Sequence, residues 1–146
     1  GWVDKLELGT GTVTDPIAEA LDITNLTFSL SGTGEWYVET GTYYFGNSSV
    51  ASPASLTDNQ NAVMETTISG VTSVSFFWKV SSESGYDYLK FYIDGTLQDR
   101  ISGTVNWTQK TYSVTSGSHT LKWEYVKDYS VSSGSDMGWV DKLELL

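Results

Sequence analysis

Short segments in which apolar and polar residues alternate recur along this chain, and Gly, Ser, Asn or Asp turns separate them. Leu26–Leu30 and Thr120–Val126 show the alternation clearly, and Tyr88–Ile93 runs into Asp94-Gly95, a dipeptide typical of tight hairpin turns. Alternation places successive side chains on opposite faces of a strand. About ten strands at this spacing, with aromatic residues at 14% and no long helical window, predict an all-β, two-sheet antiparallel jelly-roll sandwich.

The other predicted strands are bounded by the same turn residues. Val74–Val80 is the most apolar of them, so we predict a central position for it in its sheet. One candidate helical turn lies at Pro16–Asp22, with the sequence PIAEALD. The remaining predicted strands are Glu35–Val38, Thr42–Phe45, Val63–Ile68, Arg100–Ile101, Trp107–Val114 and Trp139–Leu145.

The chain carries a net charge of −10 and has a pI of about 4.2. A phosphate backbone and an anionic bilayer surface would both be repelled, so we expect no nucleic-acid partner and no membrane insertion. The chain also lacks a run of about 18 apolar residues, the length that a membrane-spanning helix needs. The negative charge is compatible with calcium, with basic partners or with solubility alone. Because cysteine is absent, stability must come from packing or from bound metal.

One octapeptide, GWVDKLEL, occurs twice, at residues 1–8 and 138–145. As a strand, each copy places its Trp, Asp and two Leu on one face, which needs a core to bury it. Burying one Trp and two Leu is worth roughly 5 kcal/mol, which either copy would lose if it stayed in water. The residues concerned are Trp2, Val3, Asp4, Leu6 and Leu8 in the first copy and Trp139, Asp141, Leu143 and Leu145 in the second.

Both copies cannot fill the same last-strand position of a single sandwich. In one arrangement, the parent protein is a tandem array with a period of 137 residues (138 minus 1), and residues 1–8 end the preceding unit. In another, residues 1–8 add as a strand to the sheet of a neighbouring molecule. A contact of either kind that continues head-to-tail without closing makes a fibre. An engineered overlap that completes a domain is the third interpretation.

Six stretches follow one another in a specific order and cover most of residues 20–145. They are ALD at 20–22, SLTDNQNAVMETTISG at 55–70, VSFFWKVSSESGYDYLKFYIDG at 74–95, RISG at 100–103, SGSHTLKWEYVKDYSVSSGSD at 116–136 and GWVDKLEL at 138–145. Together they resemble a module found, often in tandem, in large secreted bacterial surface proteins, and more remotely the MAM-type and cleaved-adhesin jelly rolls.

The resemblance implies that residues 138–145 are this module's own last strand and that residues 1–8 belong to its predecessor. It implies no enzyme activity. The predicted division is therefore a strand of an adjoining unit at 1–8, a linker at 9–19 and a jelly-roll module at 20–146.

Asp4 and Asp141 are carboxylates on the apolar face of a strand, where a buried carboxylate needs a hydrogen-bond, ionic or metal partner. Related jelly rolls often hold a structural calcium between the last strand and an early acidic segment. The resemblance therefore implies Ca²⁺ bound by Asp141 together with Asp22 or Glu19. The alternative is that the carboxylate accepts hydrogen bonds from backbone N–H groups at the rim of the strand.

A second acidic group consists of Glu83 and Asp87 in SSESGYD and of Asp128 and Asp136 in KDYSVSSGSD. Both segments follow strands, and we predict that they meet at one end of the sandwich. A second calcium site and a ligand-binding rim are the functional interpretations. Solvated loops with Asx- and Ser-type turns are the alternative.

Six Trp and nine Tyr raise the question of carbohydrate binding, because sugar rings stack on exposed aromatic side chains. Trp78, Trp123 and Trp139 lie in strongly patterned strands, so we predict that they are core residues. The pattern leaves both a sugar-binding strip and core packing open for Trp36, Tyr37, Tyr43, Tyr44 and Trp107.

His119 is the only histidine, and neither a nucleophile motif nor a cysteine accompanies it. We therefore predict no catalytic site and no histidine-based metal site. Sequons at Asn25, Asn47 and Asn106 are candidate glycosylation sites, and glycosylation would require those side chains to be exposed.

These features together predict a non-enzymatic, extracellular or cell-surface protein. We predict a structural building block of a fibre or adhesin array, whose identical or homologous units couple head-to-tail through the GWVDKLEL strand. Such strand addition would satisfy an otherwise open sheet edge. The alternative function is a carbohydrate-binding module of a secreted protein, with a polysaccharide as its partner.

Overall fold

The computed structural model describes residues 15–128 and 134–146, which form ten strands and one short helix. The all-β architecture that the alternating pattern predicts is confirmed. The elements are α1 (Pro16–Ala20), β1 (Ser29–Gly32), β2 (Tyr37–Glu39), β3 (Ser49–Ala51), β4 (Asn61–Ile68), β5 (Ser73–Ser81), β6 (Tyr88–Ile93), β7 (Thr96–Ile101), β8 (Thr104–Ser113), β9 (His119–Val126) and β10 (Met137–Leu145).

The strands form two five-stranded antiparallel sheets, which pack as a sandwich. The first sheet has the strand order β1-β4-β9-β6-β7, and the second sheet has the order β2-β3-β10-β5-β8. Strand β10 is the middle strand of the second sheet, with β3 on one side and β5 on the other. The apolar strand β5 is also interior, since it lies between β10 and β8.

Aromatic side chains from both sheets meet in the core. Phe76 and Trp78 on β5, Phe91 on β6 and Trp123 on β9 have no exposed surface. The ring centroids of Phe76 and Trp123 lie 5.4 Å apart with the rings at 80°, and those of Phe91 and Trp123 lie 5.0 Å apart. Contacts of this geometry add to the stabilisation that burial provides. Trp78 and Trp123 are thus core residues, as the pattern predicts.

The helix α1 is part of the packed module. The Asp15 side chain caps it, since one carboxylate oxygen accepts hydrogen bonds from the N–H groups of Ile17 at 2.8 Å and Ala18 at 3.3 Å. Ile17 and Ala18 are buried in the same core as the strands. The packed structure therefore begins before residue 20. Residues 16–19, which the sequence assigns to a linker, belong instead to α1, because its apolar side chains are buried in the core.

The segment Thr42–Phe45, which the sequence predicts to be a strand, is a loop. The N–H groups of Tyr44 and Phe45 donate to the carboxylate of Asp141 rather than to a neighbouring strand. Strand β3 follows this loop and is absent from the sequence prediction. All three of its residues are buried, so it shows no apolar–polar alternation.

Strand β10 has a different inner face from the one predicted. Val140 and Leu143 lie in the main core, whereas Trp139 packs in a separate buried cluster on the opposite face. The reason is an irregularity in the pairing with β5 between Asp141 and Glu144, which shifts the alternation of side chains. The prediction that Trp139 and Asp141 share the inner face with Leu143 is therefore wrong, although both side chains are buried.

The first copy of the octapeptide, with Trp2, Val3, Asp4, Leu6 and Leu8, lies outside the described residues. Its role as an inter-unit strand stays a prediction. The one helix found in the described ranges has five residues, far fewer than a bilayer-spanning helix requires.

Candidate functional site

Aromatic side chains gather on the face of the second sheet that points away from the core. We call Tyr37, Tyr44, Phe77, Trp107 and Trp139 the aromatic face. Phe77 lies on β5 next to core residues, Trp107 on β8 and Trp139 on β10, where Trp107 packs against the cluster that contains Trp139. Tyr37 on β2 is paired in register with Ala51, which is paired in turn with Trp139.

Tyr44 is the centre of the aromatic face. Its ring stacks on that of Phe77, with centroids 3.8 Å apart and an interplanar angle of 13°, and lies 6.2 Å from the ring of Trp107. Tyr44 is nevertheless 45% exposed. The stack is therefore a flat aromatic surface that is supported from below and open to solvent on its other side.

The loop of residues 40–48, which we call the aromatic loop, places Tyr44 on the sheet. Asp141 on β10 holds this loop, because its Oδ2 accepts hydrogen bonds of 2.8 Å from the N–H groups of both Tyr44 and Phe45. Its Oδ1 accepts a third hydrogen bond of 2.7 Å from the N–H of Lys142. Asp141 has no exposed surface, so its negative charge is stabilised by these donors rather than by water.

Asp22 is the neighbour of Asp141 on the other side. Burial, followed by the Asp141 carboxylate, raises the pKa of Asp22 to about 6, and burial also raises the pKa of Asp141. Gly46 lets the backbone of the aromatic loop pass close to Asp22. A Cβ at this position would lie 2.4 Å from Oδ1 of Asp22, and the residue has a φ of +76°. The two carboxyl groups therefore form a coupled pair beside the aromatic loop, in which Asp141 is buried and Asp22 is exposed.

The donor set at this pair is smaller than calcium requires. Asp141 already accepts hydrogen bonds from three backbone N–H groups, which is the alternative to calcium that the sequence leaves open. Glu19 is exposed on α1. Calcium takes about six to eight oxygen ligands, and the carboxylates of Asp22 and Asp141 alone do not supply them. These two carboxylates would supply only part of a calcium coordination shell, and Ca²⁺ bound by Asp141, Asp22 and Glu19 stays a prediction.

The coupled pair predicts a pH dependence that Asp22→Asn should remove. Because the folded-state pKa of Asp22 is raised from 3.8 to about 6, folding favours the protonated carboxyl group. The resulting stability is fully present below the unfolded-state pKa and is lost as the pH rises through the folded-state value. Melting temperatures measured from pH 4 to pH 7 should thus fall more steeply for the unmodified chain than for Asp22→Asn, over a range of about two pH units.

Equal slopes for both chains would contradict this prediction. Adding a chelator to the same series tests the calcium prediction. A bound ion would keep Asp22 and Asp141 ionised, so its removal would lower the melting temperature of the unmodified chain.

The second acidic group assembles at one end of the sandwich. Carboxylate oxygens of Glu83, Asp87 and Asp128 lie within 4.8 Å of one another, so the two loops meet as predicted. Asp136 joins this group through Lys127, whose ammonium group pairs with both Asp87 and Asp136. Burial raises the pKa of Glu83 and of Asp87, and neighbouring carboxylates contribute in the same direction. The cluster thus contains its own cation.

Aromatic residues with an open assignment in the sequence divide between core and surface. Trp36 is buried, and its indole N–H donates to the carbonyl of Ala62 at 3.0 Å. Tyr37, Tyr43 and Tyr44 are exposed. Trp107 is half-buried against the cluster that contains Trp139.

His119 ties two turns together. Its Nδ1 lies 2.6 Å from Oδ2 of Asp94, and its Nε2 lies 2.9 Å from both the hydroxyl and the carbonyl oxygen of Thr115. The hydrogen bond with Asp94 raises the pKa of His119. Asp94 also accepts a hydrogen bond of 2.8 Å from the N–H of Thr120, so the group pins the start of β9 to the β6–β7 turn.

The sequons of the chain lie on the surface. Asn25, Asn47 and Asn106 are all exposed, which glycosylation would require.

Neither a protein-family model nor a curated protein matches the chain. Among solved structures, the K2 cleaved adhesin domain of Lys-gingipain matches with a TM-score of 0.61 at 12% identity, over 82% of this chain and 88% of that chain. The chain has a cleaved-adhesin-like jelly-roll fold. This finding agrees with the resemblance that the sequence motifs indicate.

Two further structures share the cleaved-adhesin-like fold. The secreted serine protease VesC from Vibrio cholerae matches with a TM-score of 0.65 at 14% identity. The match covers 98% of this chain but only 29% of that protein. The carbohydrate-binding module TmCBM61, solved in complex with β-1,4-galactotriose, matches with a TM-score of 0.52 at 16% identity, over 92% of this chain and 97% of that chain. At such identities the likeness shows the fold alone.

Two residues of these sites, Phe77 and Lys127, are missing from the candidates that the sequence indicates. Phe77 carries a signal, because an apolar residue at an outward position of an alternating strand has no core to bury it. Lys127 carries another, because it continues the inward positions of Leu121, Trp123 and Tyr125 on β9. Asp141 was identified as unusual, but its hydrogen bonds to the aromatic loop depend on long-range contacts that no local pattern encodes.

Proposed function

We propose that this chain is a non-catalytic, extracellular adhesion module that binds polysaccharide through the aromatic face. The stack of Tyr44 on Phe77, flanked by Trp107, carries the proposal. The C–H groups of a sugar ring pack well on a flat aromatic surface, and the open side of Tyr44 offers one. The likeness to an adhesin domain and to a carbohydrate-binding module supports this assignment.

Polar side chains beside the aromatic face suit the hydroxyl groups of a sugar. Gln109 is paired in register with Phe77 across β5 and β8, and it is exposed. Glu39 accepts a hydrogen bond of 3.1 Å from the hydroxyl of Tyr37. Stacking on Tyr44 combined with hydrogen bonds to amide and carboxylate groups is the usual composition of a site for a neutral, polyhydroxylated ligand.

Replacing Tyr44 tests the proposal. Tyr44→Ala should weaken retention on a polysaccharide about tenfold, which corresponds to about 1.4 kcal/mol, because the open stacking surface is lost. The probes are columns of cellulose, chitin and β-1,4-galactan, and affinities are then measured by calorimetry with the soluble form of the retained polymer. The matched control is Tyr86→Ala, since Tyr86 is 59% exposed and is not part of the aromatic face.

Equal losses for Tyr44→Ala and Tyr86→Ala would contradict the proposal. Failure of the unmodified chain to bind any of the polymers would also contradict it.

A second candidate function is head-to-tail coupling of units through GWVDKLEL, and the position of β10 supports it. The second copy of the octapeptide fills the middle of a sheet, with Val140 fully buried and Leu143 1% exposed. An identical segment at residues 1–8 has the same apolar residues and the same need for burial. We propose that it fills the corresponding position of an adjoining unit, so that adhesion modules form an array.

A further inference from the structure

Lys127 is a buried cation between two buried carboxylates. Its side chain has no exposed surface, and the side chains of Asp87 and Asp136 are 0% and 9% exposed. Lys127 follows β9 of the first sheet, and Asp136 precedes β10 of the second sheet. The group therefore connects the two sheets at one end of the sandwich, where water does not compete for its polar atoms.

Each oxygen of Asp136 has a different partner. The Nζ of Lys127 is in direct contact with Oδ2. The hydroxyl of Tyr125 donates to Oδ1 at 2.7 Å. The Oδ2 of Asp87 lies 3.4 Å from the same Nζ, and its Oδ1 accepts the N–H of Asp128 at 2.8 Å. A primary amine, a carboxyl group, a donor to its carbonyl oxygen and a second acid thus occupy one dry pocket.

We propose that Lys127 and Asp136 join in an intramolecular isopeptide bond between Nζ and Cγ, and that Asp87 transfers the protons. The product is a covalent bridge between the end of β9 and the start of β10. The bond involves only the chain's own side chains, so it would form whether or not the chain binds polysaccharide or joins an array.

The reaction balances without any further reagent. The ammonium group of Lys127 gives a proton to Oδ2 of Asp136, which leaves a neutral amine and a carboxylic acid. The amine nitrogen forms a bond to Cγ, and negative charge develops on Oδ1, where the hydroxyl of Tyr125 stabilises it. Asp87 takes a proton from the nitrogen and returns it to Oδ2 as the Cγ–Oδ2 bond breaks. One ion pair becomes one amide and one molecule of water.

The pocket favours this direction of the reaction. Groups held in contact react with effective concentrations of about 10⁵–10⁸ M, which offsets the unfavourable condensation of separate molecules. The amide is neutral, so the product no longer buries the charges of an ion pair. Burial and the contact with Asp136 raise the pKa of Tyr125, so that its hydroxyl keeps its proton and remains a donor.

The protonation of Lys127 is the barrier to this reaction. Burial lowers the pKa of Lys127, but the contacts with Asp136 and Asp87 raise it by more, so the pKa lies above its ordinary value. The amine is therefore free to react only after it passes a proton to the carboxylate that it touches. Burial raises the pKa of Asp87, which makes this residue a better proton acceptor for the second transfer.

Mass spectrometry of the denatured full chain tests the proposal directly. The bond lowers the mass by one molecule of water relative to the sequence. It also prevents trypsin from cleaving after Lys127, so the digest should contain residues 123–142 as one peptide that is lighter by one water. A chain of full mass that trypsin cleaves after Lys127 overturns the proposal, and this result needs no variant.

Three variants identify the bond. Lys127→Arg and Asp87→Asn should both restore the full mass, the first because the nucleophile is lost and the second because the proton carrier is lost. Lys110→Arg is the matched control, since Lys110 pairs with Asp99 at 2.7 Å but both side chains are partly exposed, at 29% and 38%. Its mass deficit should equal that of the unmodified chain.

A succinimide at an aspartate also lacks one water, and Asp94-Gly95 is prone to form one. Hydroxylamine cleaves a succinimide but leaves an isopeptide bond intact. A deficit that persists in Lys127→Arg or that hydroxylamine removes therefore overturns the proposal. A deficit that resists hydroxylamine and disappears in Lys127→Arg supports it.

Discussion

A chain that ends at Met137 and also lacks residues 1–8 should show no cooperative melting transition. The deletion removes β10 from the middle of the second sheet, and with it the buried side chains of Val140 and Leu143. Losing a large buried apolar side chain costs about 2–5 kcal/mol, and the whole stability of such a domain is about 5–15 kcal/mol. The deletion also removes the hydrogen-bond partners of the β3 and β5 edges that face β10 and separates the two halves of the second sheet, so we expect an unfolded chain.

The chain that ends at Met137 but keeps residues 1–8 should fold again, as an oligomer. Its N-terminal GWVDKLEL has the sequence of the missing strand. It is the one copy of the octapeptide that remains in the truncated sequence. Under the array proposal it fills the vacated position of a neighbouring molecule, and further molecules add in the same way.

Size-exclusion chromatography with light scattering and thermal melting measure both effects. A folded monomer would contradict head-to-tail coupling, because residues 1–8 would then have filled the position within their own chain. An unfolded chain would show that the first copy cannot replace the second. The matched control is the same truncated chain with Val3→Ser and Leu6→Ser, the counterparts of Val140 and Leu143, which retains the length but loses the core-facing apolar side chains.

Asp141→Ala should destabilise the fold by about 3 kcal/mol and weaken polysaccharide binding about tenfold. The substitution leaves the N–H groups of Tyr44, Phe45 and Lys142 without their common acceptor. The penalty is smaller than the sum of three charged hydrogen bonds, because removing the charge also relieves its repulsion with Asp22. Binding weakens because Tyr44 is no longer held on Phe77.

Chemical denaturation measures the stability, and calorimetry with the retained polysaccharide measures the affinity. Asp58→Ala is the control, since Asp58 is an exposed carboxylate in a loop and its loss should change stability by less than about 0.5 kcal/mol. If Asp141→Ala lowered the stability but left the affinity unchanged, the aromatic loop would not be part of the binding surface.

Much of the fold could be predicted from local patterns. The alternation in Tyr88–Ile93 and the Asp94-Gly95 dipeptide after it specify a strand and a hairpin turn, and β6 has the predicted bounds. The prediction is wrong at Thr42–Phe45, where three consecutive aromatic residues form a loop. The acceptor for the backbone of that loop is a side chain about a hundred positions away, so no nearby residue reveals it.

The sites show the same division between local pattern and long-range contact. The sequence placed Glu83, Asp87, Asp128 and Asp136 in two loops that meet, and the structure brings them together. It did not indicate that Lys127 lies among them as a buried cation, because a lysine is normally a surface residue.

The sequence by itself determined the class of fold and the duplication of its last strand, because period-two alternation and an exact repeat are properties of the chain alone. Only the tertiary structure decided which face of β10 meets the core, what Asp141 binds and which carboxyl group touches Lys127. These outcomes depend on a shift in strand pairing and on contacts between distant segments. Buried polar groups need hydrogen-bond partners, and the packing of the two sheets decides which partners lie within reach.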